Sequence, residues 1–275
     1  MSLKVLSLNL WHDAGPWPER EKRIREWIDR LDPDLIGFQE ALCGEGIDQA
    51  AQLVAGRDYH TEFALATPRW LDRDVAFGNA VASRWPIRER AVLALPSSGD
   101  GETRTALGVT IDSPCGPISF TCTHLNWRFH QGNVRERQVL ALAEWVRERR
   151  PRGGFPPLLV GDFNAEPDAA EIRFLSGLQS LGGRSVYFVD AWRHSGDGGD
   201  GITWSNRNDH AREWLEPERR IDYVFAGPPL RTGLGWVEAC RVVCDDVVDG
   251  IWPSDHFGVY AELRDVPIPE HAERA

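Results

Sequence analysis

The stretch PPLLVGDFNAEPD, residues 156–168, decides how this chain is read. Leu158, Leu159 and Val160 form an apolar run that reads as a buried strand. The run stops at Gly161, and Asp162 follows at once, with Asn164, Glu166 and Asp168 behind it. A carboxylate and an amide at the end of one hydrophobic strand are ordinary solvated loop groups. They mean more if other strands end the same way.

Working outward, others do. LKVLSLNLW (residues 3–11) alternates Leu3, Val5 and Ser7 against Lys4, Leu6 and Leu8, the pattern of a strand buried on both faces, and closes on Asn9. LIGFQE ends on Gln39 and Glu40, and the strand GPISFTCTHL carries His124 at its end. Asp222 opens IDYVF, and Asp255 and His256 stand just before the last strand, FGVYAEL. Between these lie amphipathic helices. Ile24, Ile28 and Leu31 recur at helical spacing before Pro33, and Val139, Leu142 and Val146 form one stripe of NVRERQVLALAEWVRERR. Strands alternating with helices predict a layered α/β fold, in which strand ends can meet at one rim. Glu40, Asp162 and Asp255 on one rim would repel each other unless a cation lay between them. Oxygen-rich ligation with Asn9 and Asn164 suits Mg²⁺ or Mn²⁺, and no Cys/His spacing of the zinc type is present.

The bulk numbers bound the answer. The chain has 275 residues, 42% of them hydrophobic, and a net charge of −11 from 31 basic and 42 acidic side chains. That charge argues against a generally basic nucleic-acid binder, though not against a local basic groove. The five cysteines form no framework, and Cys240 and Cys244 would share one face of a strand. No apolar run reaches a membrane span of roughly 18 residues, and the N-terminus enters strand-like sequence by Leu3. These features predict a reduced, cytoplasmic protein; one domain over residues 1–265 and a flexible tail over 266–275 are expected, with a monomer as the expected state. Residues 194–218, rich in Gly and Asp, read as a long mobile loop near the mouth of a cleft; its DGGDG lacks the full spacing of a calcium loop.

SLNLW, IGFQEA, THL, GDFNAEP, RRIDYVFAG and PSDHFGVYAEL, in that order, resemble the endonuclease/exonuclease/phosphatase superfamily of DNase I-like enzymes. The resemblance runs from Asn9 to His256 and implies a four-layer α/β sandwich, two packed mixed β-sheets flanked by helices. It also implies a divalent metal and phosphoester hydrolysis. Glu40 looks like the principal metal ligand, with Asn9 beside it and Asp255 as a metal-side acid. Asp162 and Asn164 look like the pair that handles the attacking water and a phosphate oxygen. His256 looks like the catalytic histidine, Asp222 the carboxylate that orients it, and His124 a phosphate contact on the facing wall. Arg104, where some relatives carry an active-site arginine, and Asn126 are expected substrate contacts. Trp11, Trp127, Trp204 and Trp252 stand beside the motifs and read either as core or as cleft lining. The motifs leave the substrate open between a nucleic acid and a lipid headgroup or small phosphoester, and they disfavour a catalytically silent binding module. Whether Asp162 or His256 takes the water's proton stays undecided in sequence.

Overall fold

The computed structural model describes residues 2–269. The first strands in chain order are β1 (Ser2–Asn9), β2 (Leu35–Gly44), β3 (Ile47–Asp48), β4 (His60–Thr67) and β5 (Val75–Ser83). There follow β6 (Ile87–Ala94), β7 (Thr105–Ser113), β8 (Gly116–His124) and β9 (Leu158–Asp162). The last are β10 (Val189–Asp190), β11 (Asp222–Ala226), β12 (Val237–Val243) and β13 (Gly258–Arg264). The helices are α1 (Trp17–Leu31), α2 (Gln49–Leu53), α3 (Gly132–Glu148), α4 (Ala170–Leu175), α5 (Ala191–Ser195) and α6 (Asp209–Arg212). One sheet has the order β12-β13-β1-β2-β5-β4, with β3 paired to β2; the other runs β10-β11-β9-β8-β7-β6. Each is mixed: β1 and β2 are parallel in the first, β8 and β9 in the second, and the remaining pairs are antiparallel.

The period-2 alternation of the central strands builds four layers. Leu3 and Val5 of β1, Val160 of β9 and Phe120 of β8 share the core between the sheets. The opposite faces turn outward. Leu6 and Leu8 pack with Ile24, Ile28 and Leu31 of α1, while Leu159, Tyr223 and Phe225 pack with Val139 and Leu142 of α3 and with Phe174 of α4. The result is α1–α2, sheet, sheet, α3–α4, the sandwich expected from the sequence. Fully burying a Leu or Val contributes roughly 1.5–3 kcal/mol, so the strands hydrophobic on both faces hold the layers together.

The topology gathers the rim. Parallel β1 and β2 present their C-terminal ends at the same edge as parallel β8 and β9, and antiparallel β11 and β13 begin there. Asp162 lies in register between His124 on one side and Asp222 on the other. Gly161 explains the abrupt stop of the apolar run. Its φ is +153°, and a Cβ there would lie 2.0 Å from the carbonyl oxygen of Thr123. Only glycine lets β9 approach β8 this closely.

Three expectations change. β2 does not end at Glu40 but continues to Gly44 through a bulge, where pairing with β5 shifts register between Phe38 and Ala41. The segment 194–218 is not a free loop: Thr203, Ser205, Asn208 and Ala211 are buried, Trp204 bridges to Arg219, and α6 forms within it. Cys240 and Cys244 do not share a face, because β12 ends at Val243, Cys244 turns at φ +55°, and the two thiols lie in different cores. Of the expected tail, residues 270–275 lie outside the described residues, and within the described part the Ile268 N–H donates to Thr232 O at 2.8 Å.

The contact at Gly161 gives a test. Gly161→Ala should lose about 3 kcal/mol of stability, read as a lower urea midpoint with an unchanged m-value. An unshifted midpoint would show that the β8–β9 approach is not as tight as described.

Candidate active site

Asp162, the terminal residue of β9, is the hub. Its Oδ1 accepts from the Asn164 N–H at 2.8 Å, which fixes the carboxylate against its own turn. Its Oδ2 accepts from Asn9 Nδ2 at 3.1 Å, and His124 Nε2 and His256 Nε2 lie 3.3 and 3.7 Å away. Asn164 reaches this position in the left-handed region, φ +50°, which asparagine tolerates better than most residues.

Two histidines face this carboxylate in opposite charge states. His256 Nδ1 lies 2.9 Å from Asp222 Oδ2. Burial opposes the imidazolium, but the charges of Asp222 and Asp162 outweigh it and lift His256 to about 10. His124 is held between groups that disfavour its charge. Burial and the Arg104 guanidinium keep it well below its usual value. Arg104 Nη1 lies 2.9 Å from His124 Nδ1. A guanidinium can only donate, so Nδ1 accepts; Nε2 then faces Asp162 Oδ2 at 3.3 Å and the Asn164 amide at 3.0 Å. Asp162 itself is raised to about 7, by burial first and then by Asp222, with His256 opposing.

The bulge in β2 re-aims Glu40. At φ +54° its side chain turns into the cleft, while the preceding Gln39 stays fully buried between the sheets on Ser7 Oγ and Cys122 Sγ. Asn9 Nδ2 spans Glu40 Oε1 at 3.3 Å and Asp162 Oδ2. The Asn9 oxygen is committed to the Trp11 N–H at 3.0 Å, so Asn9 stands here as a bridge between carboxylates. Ser254 Oγ lies 2.7 Å from Asn9 O and 3.2 Å from Asp255 Oδ1, two acceptors that share its one proton. Asn208 ties down the backbone of Ser254 and Asp255 at 2.7 and 3.2 Å, so the segment expected to be loose secures the site instead. Burial raises the Asp255 carboxyl to about 6; His256 opposes the shift, and the charge of Glu40 adds to it. Glu40 and Asp255 both line the cleft and repel each other, and a carboxylate pair of this kind suits a hard divalent cation. Asp162, Asp222 and His256 also bring ligand atoms within 4.8 Å of one another. There the His256–Asp222 hydrogen bond already uses one ring nitrogen.

These groups open into a cleft of about 530 Å³. Glu40, Arg104, His124, Asp162, Asn164, Asp255 and His256 all line it. Asn126 does not. It is fully buried, and Gln131, Gln138 and Arg135 engage its amide and backbone, so the expected substrate contact is a brace for α3. Of the four tryptophans beside the motifs, Trp11, Trp127 and Trp204 line the cleft; Trp252 packs on Phe257 and donates to Asp209. His12, Trp70, Trp214 and Arg219 also line it. Arg219 opens the RRIDYVFAG motif, whereas Trp70 and Trp214 come from segments without pattern.

The turn after β1 is strained. Trp11 (φ +54°) and His12 (φ +36°) are consecutive left-handed residues, neither of them glycine, at a cost of about 1–3 kcal/mol each. Arg20, fully buried on α1, holds them by donating to the carbonyls of Leu10, His12 and Ala14. Gln49 adds a bond to His12 O at 3.0 Å.

A two-sheet sandwich with this polar rim at its strand ends is the architecture of the DNase I-like phosphoesterases. The chain belongs to the endonuclease/exonuclease/phosphatase family, whose model matches residues 6–256. Solved structures share the fold. The Bacteroides vulgatus endonuclease/exonuclease/phosphatase matches with TM-score 0.72 and 19% identity, over 96% of this chain and 99% of that one. D. rerio TDP2 complexed with single strand DNA product gives 0.74 and 17%, over 96% and 99%. The human Nocturnin catalytic domain with bound sulfate anion gives 0.70 and 21%, over 96% and 93%. No curated protein matches the chain.

The His256–Asp222 pair makes a pH prediction. His256 is raised above its unfolded value, so its contribution to stability is full below about pH 6.5 and is lost as pH rises through about 10. Asp222→Asn should flatten that loss in urea unfolding followed from pH 6 to 10, and should lower the His256 titration seen by NMR. An unchanged titration would mean that Asp222 does not set the charge of the ring.

Proposed function

We propose that this chain is a Mg²⁺- or Mn²⁺-dependent phosphodiesterase, acting on a phosphoester bond of a nucleic acid within one catalytic domain over residues 1–265. The observation that carries the reading is a single cleft floor with two kinds of group. A charged His256 with an acceptor Asp162, and the carboxylates of Glu40 and Asp255, line the same cleft, with Asn9 bonded to both Glu40 and Asp162. Glu40 and Asp255 would hold the cation, with Asn9 fixing Glu40 in place. A bound cation would offset the negative charge of the phosphate and so favour attack.

The protein's own groups divide the remaining work. His256 is kept protonated by Asp222, so it donates to the phosphate rather than accepting from water. The proton of the attacking water therefore goes to Asp162, whose raised carboxyl suits a base near neutral pH. As the water oxygen bonds to phosphorus, the bond to the leaving oxygen breaks on the opposite side. Asn164 and the neutral His124 hold the Asp162 side of the cleft, and Arg104 fixes His124 in its tautomer.

The nucleic-acid choice is supported by the rings that line the cleft and by fold analogy to the TDP2 structure with single strand DNA product. A second reading, a lipid-headgroup or small-molecule phosphoesterase, is favoured by the apolar residues beside the cleft, Trp214 at 57% and Leu215 at 90% exposure. Among the described residues no helix is long and apolar enough to cross a membrane. The five unpaired thiols suit a reducing, cytoplasmic setting, and we take the working unit to be a monomer.

EDTA should abolish hydrolysis of bis-p-nitrophenyl phosphate, and Mg²⁺ or Mn²⁺ should restore it. Glu40→Gln should raise the metal concentration needed for half-activity without unfolding the chain. Asp162→Ala and His256→Ala should each lower kcat by at least about 10², with the double variant far short of the product. A panel of plasmid, abasic duplex, 5′-tyrosyl oligonucleotide, sphingomyelin and inositol phosphates separates the two substrate readings. Full activity of the metal-stripped protein, or of Asp162→Ala, would sink the assignment.

A further inference from the structure

Above the carboxylates, one wall of the cleft is built of four rings. Trp70 stacks on Phe77 at 4.1 Å and 14°, His12 meets Trp70 at 5.1 Å, and Trp11 lies 6.4 Å from His12. All four line the same cleft as Glu40 and Asp255. Phe77 is buried behind the wall, while Trp11, His12 and Trp70 are only partly buried and keep surface open to the cleft.

This wall is held from two sides. Arg20 and Gln49 fix the strained turn that carries Trp11 and His12. The segment that carries Trp70 is tied to the same turn by Arg73, which grips Asp13 with two bonds of 2.6 and 2.9 Å. The two consecutive left-handed residues set the Trp11 and His12 rings on the cleft, with His210 packed 4.5 Å from the Trp11 ring. Strain kept by dedicated clamps is a mark of a surface organised for a ligand.

We propose that the wall of Trp11, His12, Trp70 and Phe77 is a subsite for a flat, uncharged aromatic ring carried by the substrate next to its phosphate, with Arg20 as its positioning residue. The inference rests on the phosphate-handling role assigned above to the cleft floor. Charge selects the ring over a cation. The Arg20 guanidinium already lies 4.9 Å from the Trp11 ring centroid, and Asp13 is neutralised by Arg73. A quaternary ammonium would therefore meet a wall with one cation already behind it and no free carboxylate on that turn. A planar ring meets the aromatic surface that Trp11, His12 and Trp70 keep on the cleft. The ring has two chemical sources, a nucleobase or an aryl ester, and both offer the same flat face.

The test is equilibrium binding by calorimetry, with Mg²⁺ present, of four monophosphates: adenosine 5′-monophosphate, phenyl phosphate, ribose 5-phosphate and phosphocholine. The two ring-bearing ligands should bind about tenfold tighter than the two without a ring, the size of one stacking contact. A tighter adenosine monophosphate identifies a nucleobase as the source; a tighter phenyl phosphate identifies an aryl group. Trp70→Ala should shrink the gap below about threefold and leave ribose 5-phosphate affinity unchanged, because only the stacking contact is removed. Arg20→Lys keeps the charge but loses the fork that reaches three carbonyls, and should narrow the gap in the same way. Equal affinities for all four, tightest binding of phosphocholine, or an equal loss for all four in Trp70→Ala would overturn the subsite. Hydrolysis of bis-p-nitrophenyl phosphate, measured separately, distinguishes the failures. Hydrolysis without a ring preference removes the subsite alone, whereas no binding of any phosphate and no hydrolysis removes the functional reading and the subsite with it.

Discussion

One carboxylate oxygen, Oδ2 of Asp162, is approached from both halves of the sandwich. Asn9 reaches it from the end of β1 in the first sheet, His124 from β8 in the second, and His256 from the segment that enters β13. The sheets must therefore stack in one relative position for the site to exist. That position is set by Val5, Phe120 and Val160 between them, whose packing leaves no slack of even a methylene without cost. A catalytic geometry held to fractions of an ångström needs such a mount. The site inherits the stacking of its two halves from the core, and its own hydrogen bonds then fix the individual side chains.

The same arrangement carries a cost. Asp162 and Asp222 lie side by side on neighbouring strands, and Glu40 and Asp255 line one cleft and repel each other. Burial raises the carboxyls of Asp162 and Asp255 well above ordinary values. Buried like charges destabilise a fold unless each finds a counter-charge or a donor. Here His256 serves Asp222 and Asp162, and Asn9 joins Glu40 to Asp162 without adding charge. Buried Arg20 feels both Asp255 and Glu40, although burial pulls its own value down to about 10. Its hydrogen bonds go to backbone carbonyls, so its charge acts at a distance while its geometry shapes the turn.

The cleft walls follow a different logic from its floor. Floor residues sit at strand ends, as Asn9, His124 and Asp162 do, or at the β2 bulge that carries Glu40. Wall residues sit on turns, and each turn needs its own clamp: Arg20 for Trp11 and His12, Arg73 with Asp13 for the segment of Trp70, and Arg219 between Phe129 and Trp204. The arginines scattered through the sequence thus include several that organise aromatic surface, a use that suits a planar guanidinium better than an ammonium.

The sequence alone determined the layered α/β class, because strands hydrophobic on both faces leave a near-continuous apolar signature, as in residues 3–8 and 158–160. It also marked the polar groups at the ends of those strands, since an Asp or His there interrupts an apolar run. It could not show the bulge that turns Glu40 into the cleft, because a bulge is a mismatch between two strands and only one of them is local. Nor could it separate Asn126, spent on bracing α3, from its neighbour His124 in the cleft; that choice belongs to Gln131, Arg135 and Gln138, which arrive from the next helix. Segment 194–218 looked free because its composition is polar, yet Thr203 and Asn208 bury their side chains on partners far along the chain. Trp70 left no signal, for an aromatic residue in an irregular loop has no period to reveal which way it faces. Local pattern wrote the strands and their punctuation; long-range pairing, which no local pattern encodes, decided which of those residues face one another.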